Sequence, residues 1–445
     1  MFDLLVRGGT VVDPAQGLHA TLDVAVSKGK IAKVEAGIPA TEASEVIEAG
    51  GHYVTPGLID IHAHVYRGDN HRDPDEVSGV RAGVTSLVDA GGPTSDSLDD
   101  FREVIVSKAR TNIYCFLGVF NRSAGPWREL TVDGIAEAAL ANPDLVKGIK
   151  VHMMPVARDN FGLRHIEAAK AAARDARIPV MLHIGDIGPR QLEATSPELT
   201  SAAMDLLEAG DIITHLFSPL TGSATGDDLT VLPALRAAKE RGVWLDTSIG
   251  DYQFAWEVAD AVLAQGIYPD TIATDMEIHS GRAGTGEPLV ADRRITGARV
   301  ASERSLLEYT AMFFKLGFSL DDVIRMTTQT PARVLGIEDR AGSLRVGMPA
   351  DVAVLKATEG EYKLTDTTGV SRVGNLALEP VVTIKAGTIC SVSPGTHEWG
   401  FAPPRATAEE VTALALRRAP RPMGWSSSLA LSTPRPRRTS SSTRS

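Results

Sequence analysis

The 445-residue chain is 43% hydrophobic and 23% charged, a balance that fits one large globular domain with appendages, or two to three ordinary ones. Its formal charge is −11, and residues 401–445 hold eight Arg and two Glu, so residues 1–400 carry −17, a poor match for phosphate-based nucleic-acid binding. No apolar run reaches the roughly 18 residues that span a bilayer, and Cys115 and Cys390 alone support no disulfide framework, so a cytoplasmic protein is expected.

The start, Met1 to Gly9, reads as a strand and turn and not as a signal peptide. Leu4–Arg7, Thr10–Val12, Asp23–Ser27 and Ile31–Glu35 are β-prone, with Gly8-Gly9 and Lys28-Gly29-Lys30 as turns. From Pro56 the texture alternates. Candidate strands are Leu58–Val65, Val84–Asp89, Ile113–Val119, Gly148–His152, Pro179–Ile184, Ile212–Leu216, Val243–Thr247 and Thr271–Asp275. Their starts lie 26 to 35 residues apart, the size of one βα unit. Val132–Ala141, Ile166–Ala173 and Val231–Lys239 are rich in good helix formers. Eight units predict a (β/α)8 barrel over 56–339, with a doubly wound open sheet as the competing architecture. Residues 340–400 return to the style of the first 55: Asp351-Val352-Ala353-Val354 echoes Asp23-Val24-Ala25-Val26. The two ends, 1–55 and 340–400, are therefore expected to pair as one small β-sandwich. In 401–445, Thr407–Leu416 predicts one short helix capped by Thr407. The Ser, Pro and Arg mixture beyond it reads as a disordered basic tail.

An ordered series of polar residues sits at the ends of the candidate strands: His62-Ala-His64, Lys150, His183, His215 and Asp275. Residues two apart on a strand share a face, so Asp60, His62 and His64 point the same way. Each member alone has an ordinary explanation. Lysines are mostly on the surface, a lone buried histidine is more often a satisfied core residue, and an aspartate at a strand end often caps the next helix or loop. Spacing by complete βα units changes the balance, because a barrel delivers its strand ends to one mouth. Neutral imidazoles and carboxylate oxygens at one mouth suit Zn²⁺, with Mn²⁺, Fe²⁺ or Co²⁺ as alternatives.

The string Pro56-Gly57-Leu58-Ile59-Asp60-x-His62-x-His64, with Lys150, His183, His215 and Asp275 in order, resembles the amidohydrolase superfamily over residues 1 to 395. Gly148-Ile149-Lys150-Val151, Met153 and Thr274-Asp275 resemble its amidohydrolase/deacetylase branch, relatives of dihydroorotase and N-acyl-amino-acid deacylases. The resemblance implies two divalent metal ions, one on His62 and His64, the other on His183 and His215. It implies a Lys150 carboxylated by CO2 as the bridge, with Asp275 as both ligand and general base. It implies a small-molecule substrate and a homo-oligomer. The expected reaction is hydrolysis of an amide or ester in an N-acyl or O-acyl compound bearing a carboxylate. A cyclic-amide hydrolase is the rival enzyme, and a non-catalytic metal-binding or scaffold barrel the rival class. His152, one step beyond Lys150 on the same face, and His279 are candidate substrate contacts. Relatives often carry Arg at the first of these places, so His152 departs from the pattern. Asp60 and Asp89 are read as orienting carboxylates. Tyr66, Arg67, Asn121 and Arg122 are read as loop residues that set specificity.

Overall fold

The computed structural model describes residues 1–66, 73–120, 129–187, 193–277, 304–393, 395 and 401–415. Eight strands make one fully parallel sheet: Leu58–His64, Val84–Ala90, Asn112–Gly118, Val146–His152, Val180–His183, Ile212–Thr214, Trp244–Leu245 and Met276–Glu277. Each of the first seven pairs with its neighbour in sequence, and the last returns to the first through Met276 opposite Ala63 and Glu277 opposite His64. The gap between the seventh and eighth strands is bridged by Asp246 and Thr271 in parallel. Gly250 N–H donates to the Thr274 carbonyl at 2.8 Å, and Asp275 N–H to the His62 carbonyl at 2.7 Å. The strands thus run round a ring with helices between them, which is the (β/α)8 arrangement.

Local sequence explains the helices. Arg164–Ala176 buries Ile166, Ala169, Lys170, Ala173 and Ala176, the i, i+3, i+4 stripe of an amphipathic helix, and stops where Arg177 turns left-handed. Pro197–Asp205 opens on Ser196, whose hydroxyl accepts from Leu199 N–H, with Pro at the first helical position. A continuous apolar cluster joins these helices to the strands.

The last three ring strands differ from the sequence expectation: the sixth stops at Thr214, the seventh is only Trp244–Leu245, and the eighth is Met276–Glu277, past the expected Thr271–Asp275. His215 lies just past Ile212–Thr214 with φ 74°, and Asp275 just before Met276–Glu277 with φ 51°. Both leave the extended backbone, a cost of about 1–3 kcal/mol each that persists only where the surroundings hold the residue in place. Such strain clusters at functional sites.

The chain ends build the second sheet. Its path runs Thr388–Cys390, Ser371–Lys385, Val352–Thr365, Tyr53–Pro56, Phe2–Asp13, Leu18–Ser27 and Lys30–Glu35, with Ala43–Glu48 also on Phe2–Asp13. Val352 opposite Pro56 and Leu355 opposite Tyr53 join the two ends. The pairing joins both chain ends in one continuous sheet. Phe2–Asp13 is long enough to hold Ala43–Glu48 along one part and Tyr53–Pro56 along another. Gly8-Gly9, expected as a turn, is instead a bulge inside this strand, where the register shifts between Val6 and Gly9. The helix Ala408–Ala415 forms as the sequence suggests: Thr407 Oγ1 accepts from Glu410 N–H at 3.2 Å and Glu410 Oε2 from Thr407 N–H at 2.9 Å. Residues beyond Ala415, where the sequence predicts a disordered tail, lie outside the described residues. No helix among the described residues is long and apolar enough to cross a membrane.

Candidate metal centre

His62, His64, Lys150, His183 and His215, at or next to the carboxyl ends of their strands, converge with Asp275, which just precedes Met276–Glu277. Asp275 Oδ1 lies 3.2 Å from His62 Nε2 and 3.0 Å from His64 Nε2. Lys150 Nζ lies 2.7 Å from the same His62 Nε2. The ring centroids of His62 and His215 are 5.2 Å apart, and those of His183 and His215 4.2 Å. His62, His215 and Asp275 each offer a ligand atom within 4.8 Å of the others, a group able to hold a metal ion.

The surrounding hydrogen bonds orient the imidazoles. His62 Nδ1 lies 3.1 Å from Thr214 Oγ1, and Thr214 donates to Asp246 Oδ2 at 2.7 Å. With its proton committed to that carboxylate, the Thr214 oxygen accepts from His62 Nδ1–H, leaving the Nε2 lone pair facing Lys150 and Asp275. His215 Nδ1–H donates to the Ser248 carbonyl at 2.8 Å, which leaves Nε2 buried and without a partner. His183 Nε2–H donates to the Gly185 carbonyl at 3.1 Å, leaving its lone pair on Nδ1. His64 Nδ1 is likewise buried and unpartnered. A buried polar group without a partner costs about 1–3 kcal/mol, and His215 Nε2, within ligand range of His62 and Asp275, is placed to be satisfied by a metal ion. Inward lone pairs backed by outward acceptors are the pattern of metal-binding histidines, and the residues present fit divalent ions.

Electrostatics point the same way. Burial holds the His64, His183 and His215 imidazoles down as neutral rings, His183 to about 3, and neighbouring cationic groups add to the effect. Burial also lowers the Lys150 ammonium to about 8. Lys150 is fully enclosed, and its other near neighbour is Met181 Sδ at 3.6 Å. The space around it exists because residue 91 is glycine: a Cβ there would lie 2.9 Å from Lys150 Cγ, on a backbone with φ +97°. Burial pushes the Asp275 carboxyl up, but His62, His64 and His215 outweigh it and hold it well below the usual carboxylate range.

The remaining sequence-named residues fall into place around this centre. His152 stacks beside His183 with centroids 5.3 Å apart, and burial drives its imidazole well below the usual range. Asp60 accepts from Thr274 Oγ1 at 2.6 Å and from His62 N–H at 3.2 Å, tying the first strand to the segment that carries Asp275. Burial raises its carboxyl to about 6. Asp89 accepts from Val65, Tyr66 and Gly92 N–H at 2.8, 2.8 and 2.6 Å, which shapes the loop after the first strand. Tyr66 is buried and donates to Asp100 at 2.5 Å. His279, Arg67, Asn121 and Arg122 lie outside the described residues. Sequence reasoning missed Asp246. Its buried carboxylate accepts from Thr214, Ser248 and, at 2.7 Å, Thr271 hydroxyls. The signal was present, since Asp246 falls within the candidate seventh strand Val243–Thr247 as Asp275 falls at the end of the eighth.

The model of the amidohydrolase family matches residues 53–389, which take in all six converging side chains and most of the chain. The chain belongs to the amidohydrolase family. It is a hydrolase acting on carbon–nitrogen bonds. This amidohydrolase is 28% identical over 360 residues to a deacetylase of Agrobacterium fabrum, covering 78% of this chain and 81% of the relative. It is 27% identical over 409 residues to a dihydroorotase of Geobacter sp. strain M21, covering 79% and 89%. A crystal structure of an adenine deaminase superimposes with a TM-score of 0.73 and 26% identity, covering 88% of this amidohydrolase and all of that chain.

Proposed function

We propose that this amidohydrolase is a binuclear enzyme that cleaves the amide, or an ester of similar shape, of a small N-acyl or O-acyl compound bearing a carboxylate. The observation that supports it most is the buried cluster in which the His62 Nε2 lone pair faces Lys150 and Asp275 while His215 Nε2 beside it has no partner. In this reading His62, His64 and Asp275 hold one divalent ion, and His183 and His215 the other. The all-N/O donor set suits Zn²⁺. Lys150 joins the two as a carbamate. Its neutral Nζ attacks the carbon of CO2, an N–C bond forms and one proton leaves; the lowering of the ammonium to about 8 favours the neutral amine this needs. Bound divalent ions supply hydroxide at neutral pH and polarise the scissile carbonyl.

The chain's own groups supply the rest. Asp275 takes the proton of the attacking water at its carboxylate and returns it to the leaving nitrogen. Its carboxyl, held well below the usual carboxylate range, is ionised for the first transfer. His152, beside His183, binds the carboxylate of the substrate or the developing oxyanion. His279 stands as a second contact on sequence grounds alone. The two-part organisation (1–55 with 340–400, and 56–339) and a closed homo-oligomer belong to the same reading.

The likeness to the deacetylase of Agrobacterium fabrum favours the open-chain substrate. The likeness to the Geobacter dihydroorotase supports a second reading, a cyclic amide. A panel of N-acetyl amino acids, O-acetyl hydroxy acids, dihydroorotate and hydantoins, assayed with the Zn²⁺-loaded enzyme, separates them. Turnover of the open-chain compounds is expected. Ring opening without open-chain cleavage would overturn the first reading in favour of the second.

A further inference from the structure

The segment Ser248–Ala255, which leads away from the seventh ring strand, backs two of the converging side chains. Its Ser248 carbonyl accepts from His215 Nδ1–H at 2.8 Å. Its Gly250 lies so close to Asp275 that a Cβ would stand 2.5 Å from Oδ2. Ile249 and Gly250 N–H donate to the Ala273 and Thr274 carbonyls at 3.4 and 2.8 Å, immediately before Asp275. A shift of this segment therefore moves a histidine and the carboxylate together.

The far end of the same segment is held from outside the ring. The hairpin of Val352–Thr365 and Ser371–Lys385 begins in the second sheet beside Pro56. Its tip, Asp366–Val370, reaches the ring. Asp366 is buried, and its Oδ2 accepts from Trp256 N–H at 2.9 Å. Its Oδ1 orders the tip by accepting from Thr368 N–H, Thr368 Oγ1 and Val370 N–H at 2.9, 2.8 and 2.9 Å. Thr367, also buried, donates through N–H at 3.0 Å and through Oγ1 at 2.6 Å, both to the Phe254 carbonyl. Arg372 then pairs with Asp260 at 3.0 and 2.5 Å and lies 4.6 Å over the Trp256 ring.

A buried carboxylate with four donors is a costly group to place in a hairpin turn unless its contacts are all made. Only one of those four donors, Trp256 N–H, belongs to the ring, and it stands at the end of the segment that backs His215 and Asp275. We propose that Asp366 and Thr367 are positioning residues for the metal centre: the hairpin tip fixes Ser248–Ala255, and so the attitude of His215 and Asp275. This rests on the reading of those two residues as metal ligands. The second sheet thereby takes part in catalysis without contributing a group that touches substrate.

The test uses the full chain reconstituted with Co²⁺, whose visible absorption reports ligand geometry directly and needs no substrate. Four variants are compared with the wild type: Asp366→Ala, Thr367→Val, Asp351→Ala and Asp275→Asn. Asp351 accepts from Lys385 and Ala386 at the root of the same hairpin, so its loss destabilises the hairpin away from the tip. Asp366→Ala is expected to change the Co²⁺ spectrum and to weaken Co²⁺ binding about tenfold, the scale of an outer-layer partner. Thr367→Val, which keeps the backbone donor, is expected to do the same more weakly. Asp351→Ala is expected to lower the Tm while keeping the wild-type spectrum. A wild-type spectrum and affinity in folded Asp366→Ala overturns the proposal, and so does an equal spectral change in Asp351→Ala. Asp275→Asn tests the underlying reading separately: an unchanged Co²⁺ spectrum there removes Asp275 from the metal centre whatever the hairpin variants do.

Discussion

Lys150 illustrates how one residue's enclosure turns into chemistry. An ammonium fully removed from water is disfavoured, and the side chain can be there only as a neutral amine, with strong compensation, or as a modified group. The neighbouring backbone makes room for it. Gly91 approaches so closely that a methyl group would meet the Lys150 stem at 2.9 and 3.0 Å, and its positive φ strains any other residue. Gly91→Ala is therefore expected to cost about 1–3 kcal/mol of stability and to lower metal content, because the Lys150 stem must move. Thermal unfolding and metal analysis of the variant check this. Wild-type values in both would mean that the stem has slack that the packing does not suggest.

At the scale of elements, the strand-end residues that face the mouth are oriented by hydroxyls or carbonyls on neighbouring segments. The sixth strand shows this most fully, since Thr214 relays His62 Nδ1 to the buried Asp246 beside the next strand. Thr214→Val keeps the volume but removes the relay, so His62 is free to turn its protonated nitrogen inward. A loss of about ten- to a hundredfold in metal affinity is expected, measured by competition with a chelator. Unchanged affinity would show that His62 keeps its tautomer by other means.

This is also the scale at which the sequence was most and least legible. The converging residues could be found because each stands at the end of an apolar run, and strand alternation carries His62 and His64 to the same side as Lys150. Thr214 and Ser248 could not be singled out, because threonine and serine near a strand end commonly cap or turn the chain, and Asp246 carried only the weaker signal of its place in a candidate strand. The tip of the hairpin was equally hidden, since the contact between Asp366 and Trp256 spans 110 residues and leaves no local pattern. The Gly8-Gly9 pair misled for a related reason: two glycines mark a turn or a bulge alike, and only pairing on both edges of Phe2–Asp13 decides between them.

On the scale of the whole molecule, the hairpin links the second sheet to the ring, and the segment before residue 416 is attached to that hairpin in turn. Lys363 N–H donates to the Pro404 carbonyl at 2.7 Å, Ala406 N–H to the Glu361 carbonyl at 2.8 Å, and Arg405 stacks 4.3 Å over the Tyr362 ring. Lys363 also pairs with Glu410 at 2.7 Å. Residues 401–415 are thus part of the folded body, whereas residues 420–445 contribute five Arg, no acid, eight Ser and four Pro. Deletion of 420–445 is expected to leave the Tm and turnover within error of the full chain. Deletion from 401 is expected to lower the Tm. A large activity loss on the shorter deletion would show that the basic tail serves the reaction.

The central claim is that six side chains carried by five ring strands and the residues flanking them form a site for two metal ions. Metal stoichiometry, measured by inductively coupled plasma mass spectrometry on the chain purified without chelator, tests it most directly. About two transition-metal ions per chain are predicted, as a bridged pair requires. No bound metal, even after reconstitution with Zn²⁺ and bicarbonate, would contradict the account, and a single tightly held ion would contradict the bridging role of Lys150.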